Sequence, residues 1–400
     1  MFKKITLILL AIVAFSHTAF AQGSKDQRTL TTRIADLLAQ LPAKNAQELK
    51  GSMLEISDMG EAGFVTLMSG LAAPGKGNNG LLEYAIGGYS AYVMDKANEA
   101  DRVMSVNAYC KALSAVADKQ NKEFLISQLE LVGRDDAVPC LQTYLNDAQL
   151  ADPAARALVK INSDASKAAL ASALPTATGP AQLAVVEALG LSRSKQALPA
   201  LHALASSSDE KVAKAALSAL AHIADPSSAQ ILNAAAAQAG YLYENKNALE
   251  SNLYYAQMLV KDGNKSQASQ VAKLIAEKAI GDNQVHTRTA ALKILVDSQT
   301  ENSNELLLAA MDDKNAEYRA AALKFALPSI TPATSGLWIT KLGKASPELK
   351  VQLVQMLGKA GSKEALPKIT KLLKSKDQDL RLATIDAVSA IGQEQSLDDL

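Results

Sequence analysis

The sequence predicts an all-α fold in which helical hairpins stack into an extended array. Two observations carry this. Apolar residues recur at three- and four-residue spacing up to the carboxyl end, the period of helices that bury one face. The 36 residues from Leu189, LGLSRSKQALPALHALASSSDEKVAKAALSALAHIA, also align without a gap on those from Leu357, LGKAGSKEALPKITKLLKSKDQDLRLATIDAVSAIG, with 13 identities that include Gly190/Gly358, Pro199/Pro367, Asp209/Asp377 and Ile223/Ile391. The displacement of 168 residues divides into four units of 42. Self-similarity at about 40 to 47 residues, with two helices per unit, marks a helical solenoid.

The amino end, MFKKITLILLAIVAFSHTAFAQG, has Lys3 and Lys4, an apolar run from Ile5 to Phe15, and Ala19-Phe20-Ala21 before Gln22. This pattern predicts a signal peptide over residues 1–21 and an exported protein, periplasmic in a Gram-negative source. No cysteine follows the cleavage site and no later run is long and apolar enough to span a bilayer, so neither a lipoprotein nor membrane insertion is expected. Without Lys3 and Lys4, 39 basic side chains face 41 acidic ones. That balance lacks the clustered basic footprint that nucleic acid requires.

Residues 22–100 form the irregular start of the array, and APGKGNNGLLEY within them contains G-x-G-x-x-G from Gly75 to Gly80. A dinucleotide site needs a strand before such glycines and a sheet to carry them. Phe64–Met68 could pass for a strand alone, but Glu61-Ala62 and Ser69-Gly70-Leu71 extend a helical pattern across it. A helix-to-helix connection is therefore expected, with Asn78 or Asn79 capping the next helix. Cys110 and Cys140 lie in helix-like runs, where a small buried side chain is the ordinary role. An oxidising compartment also permits a disulfide, which depends on a Cα separation that the sequence leaves open.

In the helix from Asp209, Val212, Ala216, Leu220 and Ile223 form one apolar stripe. Asp152, Asp209 and Asp377 stand where N-caps belong, and Asn315 holds the matching place before Tyr318-Arg319. Between the two strong copies, residues 240–281 read as a longer helical hairpin that turns at Lys261-Asp262-Gly263-Asn264.

These features resemble the HEAT repeats. An apolar-Pro core is followed by an acidic turn and then by an apolar-Arg pair. Here the pattern appears as Ala197-Leu198-Pro199 with Asp209, and as Ala365-Leu366-Pro367 with Asp377 and Leu380-Arg381. Weaker copies are Val138-Pro139 with Asp152 and Ala155-Arg156, Asn315 with Arg319, and Thr287-Arg288. After Asp209 the arginine is missing and Lys214 stands one place later. The resemblance implies a right-handed α-α superhelix of HEAT/armadillo type. Its acids and arginines, Asp152, Arg156, Asp209, Asn315, Arg319, Asp377 and Arg381, are expected to be structural caps and a ladder between neighbouring units.

No enzyme chemistry is expected. His202, His222 and His286 are the only histidines after the leader and have no ligand spacing. Gly87-Gly88-Tyr89-Ser90-Ala91 lacks the last glycine of a nucleophile elbow, and no G-x-x-x-x-G-K-[ST] occurs. Asp135-Asp136, Asp312-Asp313 and Asp398-Asp399 read as turn or terminal acids. No catalytic, cofactor or metal residue is assigned. Tyr84, Tyr89 and Tyr92, and then Tyr241, Tyr243, Tyr254 and Tyr255, form two groups that could stack on sugars but more often pack. Trp338 is expected in the core.

The expected function is a non-catalytic scaffold for a protein partner, because a solenoid offers an extended face lined by the second helix of each unit. Opposite the apolar stripe stand Lys211, Lys214, Ser218 and His222. Their equivalents, Asp379, Leu382, Asp386 and Ala390, turn that face from basic to acidic. The alternative is an accessory module of a carbohydrate-processing system, with a sugar-processing enzyme or glycan as partner. LPAKNAQEL, APGKG and NAY with Lys111 resemble exported bacterial HEAT-repeat proteins that often continue into a 3-keto-disaccharide hydrolase domain. Here the chain stops at SLDDL with no all-β segment, so the resemblance carries no catalytic residue to this sequence. The last helix keeps Leu380, Leu382, Ile385, Val388 and Ile391, which suggests either an unfinished end or one that docks onto another chain.

Overall fold

The computed structural model describes residues 26, 28–298 and 303–392, and no strand occurs among them. The expected leader, the acidic pair Asp398-Asp399 and the SLDDL end lie outside the described residues. No described helix is long and apolar enough to cross a membrane. The chain divides into two compact units, Met1–Ala137 and Val138–Leu400.

In the first unit α1 (Leu30–Ala39), α2 (Ala46–Ser69), α3 (Gly80–Val93), α4 (Glu99–Ala115) and α5 (Lys119–Val132) follow one another. Phe64 on α2 meets the rings of Tyr89 and Tyr109 edge-on, at 4.8 and 5.2 Å between centroids. Such edge-on pairs match ring edge to ring face and add to the burial of three large side chains. The hydroxyls are satisfied: Tyr89 bonds Ser57 at 3.1 Å, and Tyr109 bonds Ser90 at 2.6 Å.

The second unit begins with α6 (Val138–Leu141), α7 (Ala151–Ile161), α8 (Asp164–Ala173), α9 (Gly179–Leu191), α10 (Leu198–Leu204), α11 (Glu210–Ile223) and α12 (Ala229–Gln238). It continues with α13 (Ala248–Lys261), α14 (Lys265–Lys278), α15 (Val285–Ser298), α16 (Ser303–Ala310) and α17 (Ala316–Ala326). The last described helices are α18 (Ser335–Lys344), α19 (Pro347–Lys359), α20 (Leu366–Ile369) and α21 (Gln378–Gly392). Odd-numbered helices pack on the next odd-numbered one from α7 to α21, and the even-numbered helices lie against them. A helix with one apolar face cannot bury it alone, so each hairpin completes its core on the next.

The repeat count differs from the expectation. Between the aligned helices α11 and α21 stand hairpins ending in α13, α15, α17, α19 and α21, so the 168-residue displacement spans five hairpins and not four units of 42. From α15 onward the odd helices begin at 285, 316, 347 and 378, 31 residues apart. The wider spacing lies around α13 and α14, which turn at Asp262–Asn264. Sequence identity gives only the total displacement, and two longer hairpins directly after α11 hide the true divisor.

The capping residues divide. Asp209 accepts from the amides of Lys211 and Val212, Asn315 from Tyr318, and Asp377 from Asp379 and Leu380. Asp152 is corrected: it lies inside α7, whose N-cap is Leu150, and it pairs with Arg156 on its own helix. The reason is local. Asp147 already holds the amides of Gln149 and Leu150, so the helix starts two residues earlier than the Asp152 motif implies. The expectation of ordinary buried thiols is also corrected, because neither cysteine is free and both Cys110 and Cys140 are disulfide-bonded.

Two glycines let neighbouring helices approach closely. A Cβ on Gly190 of α9 would lie 2.6 Å from the Cα of Ala219 on α11, and one on Gly358 of α19 would lie 2.8 Å from the Cα of Ala387 on α21. Ala219 and Ala387 are themselves equivalent across the 168-residue displacement. The repeat thus preserves a small-on-small crossing as well as an apolar stripe.

Candidate interaction surface

Helix α11 is enclosed on three sides, by α9 and α13 on its flanks and by α10 beneath. Its Val212, Ala213, Ala215, Ala216, Leu217, Ala219, Leu220, Ala221 and Ile223 are all buried. Beyond Glu210 in its first turn, exposed Lys211 and Lys214 and half-buried Ser218 and His222 reach the surface, and these four form one line along the helix. On α21 the equivalents Asp379, Leu382, Asp386 and Ala390 are all exposed. The structure therefore brings the four α11 candidates together on one face and places Asp379 and Asp386 on the corresponding face five hairpins later.

His222 is not the free surface histidine its position suggests. Its Nδ1 lies 2.9 Å from the Ser218 carbonyl, and its ring rests on Tyr254 of α13 at 4.7 Å. Beside this pair is Arg193, which the sequence did not single out. Its guanidinium donates to the Ile223 carbonyl at the end of α11 at 3.1 Å, and to Asp262, just past α13, at 3.0 Å from Nη1 with a second bond from Nη2. One side chain thus ties the carboxyl ends of three successive odd helices. It satisfies an orphan carbonyl and places a positive charge at the negative end of a helix dipole. The hydrogen bonds from Arg193 hold the Asp262 carboxyl below its ordinary range, and Asp262 in turn raises the Arg193 pKa.

Arg193 sits at φ 54°, in the left-handed region. Its amide and that of Ser194 close α9 onto the carbonyls of Gly190 and Leu189, the usual left-handed ending. The other repeat copy closes identically, Gly361 and Ser362 onto Gly358 and Leu357, with Gly361 at φ 64°. An arginine at a position that favours glycine was the available sequence signal.

The expected ladder exists in part. Arg288 pairs through both terminal nitrogens with Asp313 of the next hairpin, at 2.9 and 3.2 Å, and lies 4.5 Å from the Tyr318 ring centroid. Arg319 reaches Glu348 on α19 at 2.9 Å. Arg156 is corrected, since it stays on its own helix with Asp152; Arg381 turns to the Ser375 carbonyl of its own turn. The acids that complete rungs are Asp313 and Glu348, which flank the capping positions, because the cap oxygens are already taken by helix amides.

Elsewhere the first unit's glycine-rich stretch joins α2 to α3 without a strand. Asn78 accepts from Gly80, while Asn79 binds the amide and carbonyl of Ala72 and so clamps the loop. The tyrosine groups split. Tyr89, Tyr241 and Tyr255 are buried; Tyr84, Tyr243 and Tyr254 are exposed. Trp338 is fully buried, as expected. Asp136 pairs with Arg102, and Asp312 with Lys341. Among the described residues no cluster of three histidine, cysteine or acidic side chains could hold a metal ion.

Residues 177–251 and 337–400 match the family model of HEAT repeats. No curated protein matches the sequence. Among solved structures, a Kap121p mutant superposes with a TM-score of 0.48 at 11% identity, over 92% of this chain and 46% of that one. This chain thus spans about half of Kap121p. A chain from the CpcE–CpcF complex of phycocyanin lyase from Nostoc sp. PCC7120 gives 0.32 at 18% identity, over 64% of this chain and 94% of that one. A structure concerning the interaction between cadherin and beta-catenin gives 0.33 at 12% identity, over 94% of each chain. These three likenesses are too distant to say anything of partner or activity. With the matched repeats lying on its stacked hairpins, the second unit is a HEAT-repeat helical solenoid, and every element among the chain's described residues is helical.

Proposed function

We propose that the protein is an exported, non-catalytic scaffold that binds a protein partner along the exposed stripes of its odd-numbered helices. The observation that carries this reading is α11, which packing constrains on three sides while its fourth presents Lys211, Lys214, Ser218 and His222 beside Tyr254. Across the array that stripe changes its charge while the buried positions keep theirs, as a surface fitted to a non-repetitive partner would. The leader-like residues 1–21 support export to the periplasm, and the disulfide-bonded cysteines are in keeping with an oxidising compartment.

The test is a photo-crosslinking residue placed at Lys214, and for comparison at exposed Ala203 on the even-numbered layer, in cells of the source organism. A discrete protein adduct from position 214 and none from 203 is the expected result. Equal adducts, or none from either, would remove the stripe's role. A second reading, the accessory module of a carbohydrate-processing system, draws on exposed Tyr243 and Tyr254, whose rings could stack on a sugar. A sugar-processing enzyme in the adduct, or glycan binding lost in Tyr254→Ala, would favour it.

A further inference from the structure

Between α17 and α19 the stack opens into a groove of about 430 Å³. Across the 31-residue repeat, the position filled by Ala321 on α17 and Ala383 on α21 is Gln352 on α19. That longer polar side chain lines the groove, and its Oε1 is buried with no hydrogen-bond partner among the described residues. The floor is apolar, made by Leu323, Leu327 and Met356, and the rims carry Lys324 and Lys359. Both lysines are exposed, neither has an ion-pair partner among the described residues, and no acid lines the groove.

We propose that this groove binds an acidic peptide segment of the protein partner, seating one apolar side chain on the floor with carboxylates at Lys324 and Lys359. The inference rests on the scaffold reading and adds the chemistry of one contact. A buried amide oxygen without a donor is unfavourable, and once the Gln352 side chain swings into the groove a backbone N–H of an extended segment supplies that donor. The lysines set the sign of the segment, since an acid gains a partner there and a base meets like charge. Two lysines around a narrow apolar slot suit a peptide better than an anionic membrane surface, which draws on clusters of about four to eight basic residues.

The experiment uses the full chain labelled with 13C at its methionine methyls and a fluorescein-tagged peptide, Glu-Asp-Leu-Asp-Glu, with Lys-Lys-Leu-Lys-Lys and phosphatidylserine vesicles as comparisons. Expected are saturable binding of the acidic peptide, a shift of the Met356 methyl signal, and weakening by about tenfold or more in Lys324→Glu/Lys359→Glu. Gln352→Leu should weaken binding severalfold. An unmoved Met356 signal, affinity kept after charge reversal, equal binding of the basic peptide, or binding of vesicles alone would each overturn the proposal. Matching circular dichroism and Tm for the exposed-lysine variant exclude misfolding as the cause. A failed groove with a positive crosslink at position 214 leaves the scaffold reading standing; failure of the crosslink alone counts against that reading and not against the groove.

Discussion

The two aligned copies, residues 189–224 and 357–392, share a helix crossing, a helix ending and a capping acid, yet they differ in what surrounds them. Helix α11 has an odd-numbered neighbour on each side, whereas among the described residues α21 has one, α19. On α21, Leu380, Val388 and Ile391 are buried, while Leu382 and Ile385 are 53% and 40% exposed. The same repeat thus yields a helix enclosed on three sides in one place and a half-covered one in the other. What a residue contributes depends on its hairpin's neighbours as much as on its identity, as expected of a structure held together by nearest-neighbour interfaces.

The comparison can be broken most strongly at the buried stripe. Leu220→Ala should cost about 2–5 kcal/mol by opening a cavity among three helices, measured by urea unfolding. The equivalent Val388→Ala should cost less, and amide exchange should show its loosening confined to α19–α21. If both variants loosen the whole second unit equally, the neighbour argument fails.

The helix crossings come next. Gly190→Ala forces α9 and α11 apart and should destabilise by roughly 1–3 kcal/mol, and Gly358→Ala should do the same to α19 and α21. A crystal structure of either variant with the helix separation unchanged would contradict the close-approach account. The caps sharpen the comparison on a smaller scale: Asp209→Ala and Asp377→Ala should each cost about 1 kcal/mol, whereas Asp152→Ala, which removes only an exposed ion pair, should cost less than either. Equal losses at all three would restore Asp152 as a cap.

The smallest differences concern the helix ending, where one copy has Arg193 and the other Gly361. Arg193→Ala keeps the left-handed backbone and loses the bridge, so it should be less stable than Arg193→Gly by about 1 kcal/mol. Asp262 has its pKa lowered from 3.8 by hydrogen bonds from Arg193. A depressed carboxyl stabilises the fold above its unfolded value and loses that contribution as pH falls through the folded one. Asp262→Asn should therefore be weaker than the parent near neutrality and converge with it below about pH 3.8. A constant gap across that range would show that the pair's charge is immaterial.

Much of this was legible in the residues themselves. The all-α class, the apolar stripe Val212–Ala216–Leu220–Ile223, the caps Asp209, Asn315 and Asp377, the turn after Lys261, and the outward line Lys211–Lys214–Ser218–His222 follow from helical periodicity and from side chains acting within one turn of their own position. Such features are local, and local chemistry is written in order along the chain.

Only the tertiary structure decided the rest, because it depends on which hairpins become neighbours. It made the 168-residue displacement five hairpins, sent Arg288 to Asp313 and Arg319 to Glu348, and kept Arg156 on its own helix. It also laid His222 on Tyr254 and drew Arg193 across three helix ends. A sequence fixes which face of each helix is apolar; the partner a long polar side chain reaches is set by the distance and angle between hairpins, which the packing of small residues such as Gly190 on Ala219 determines.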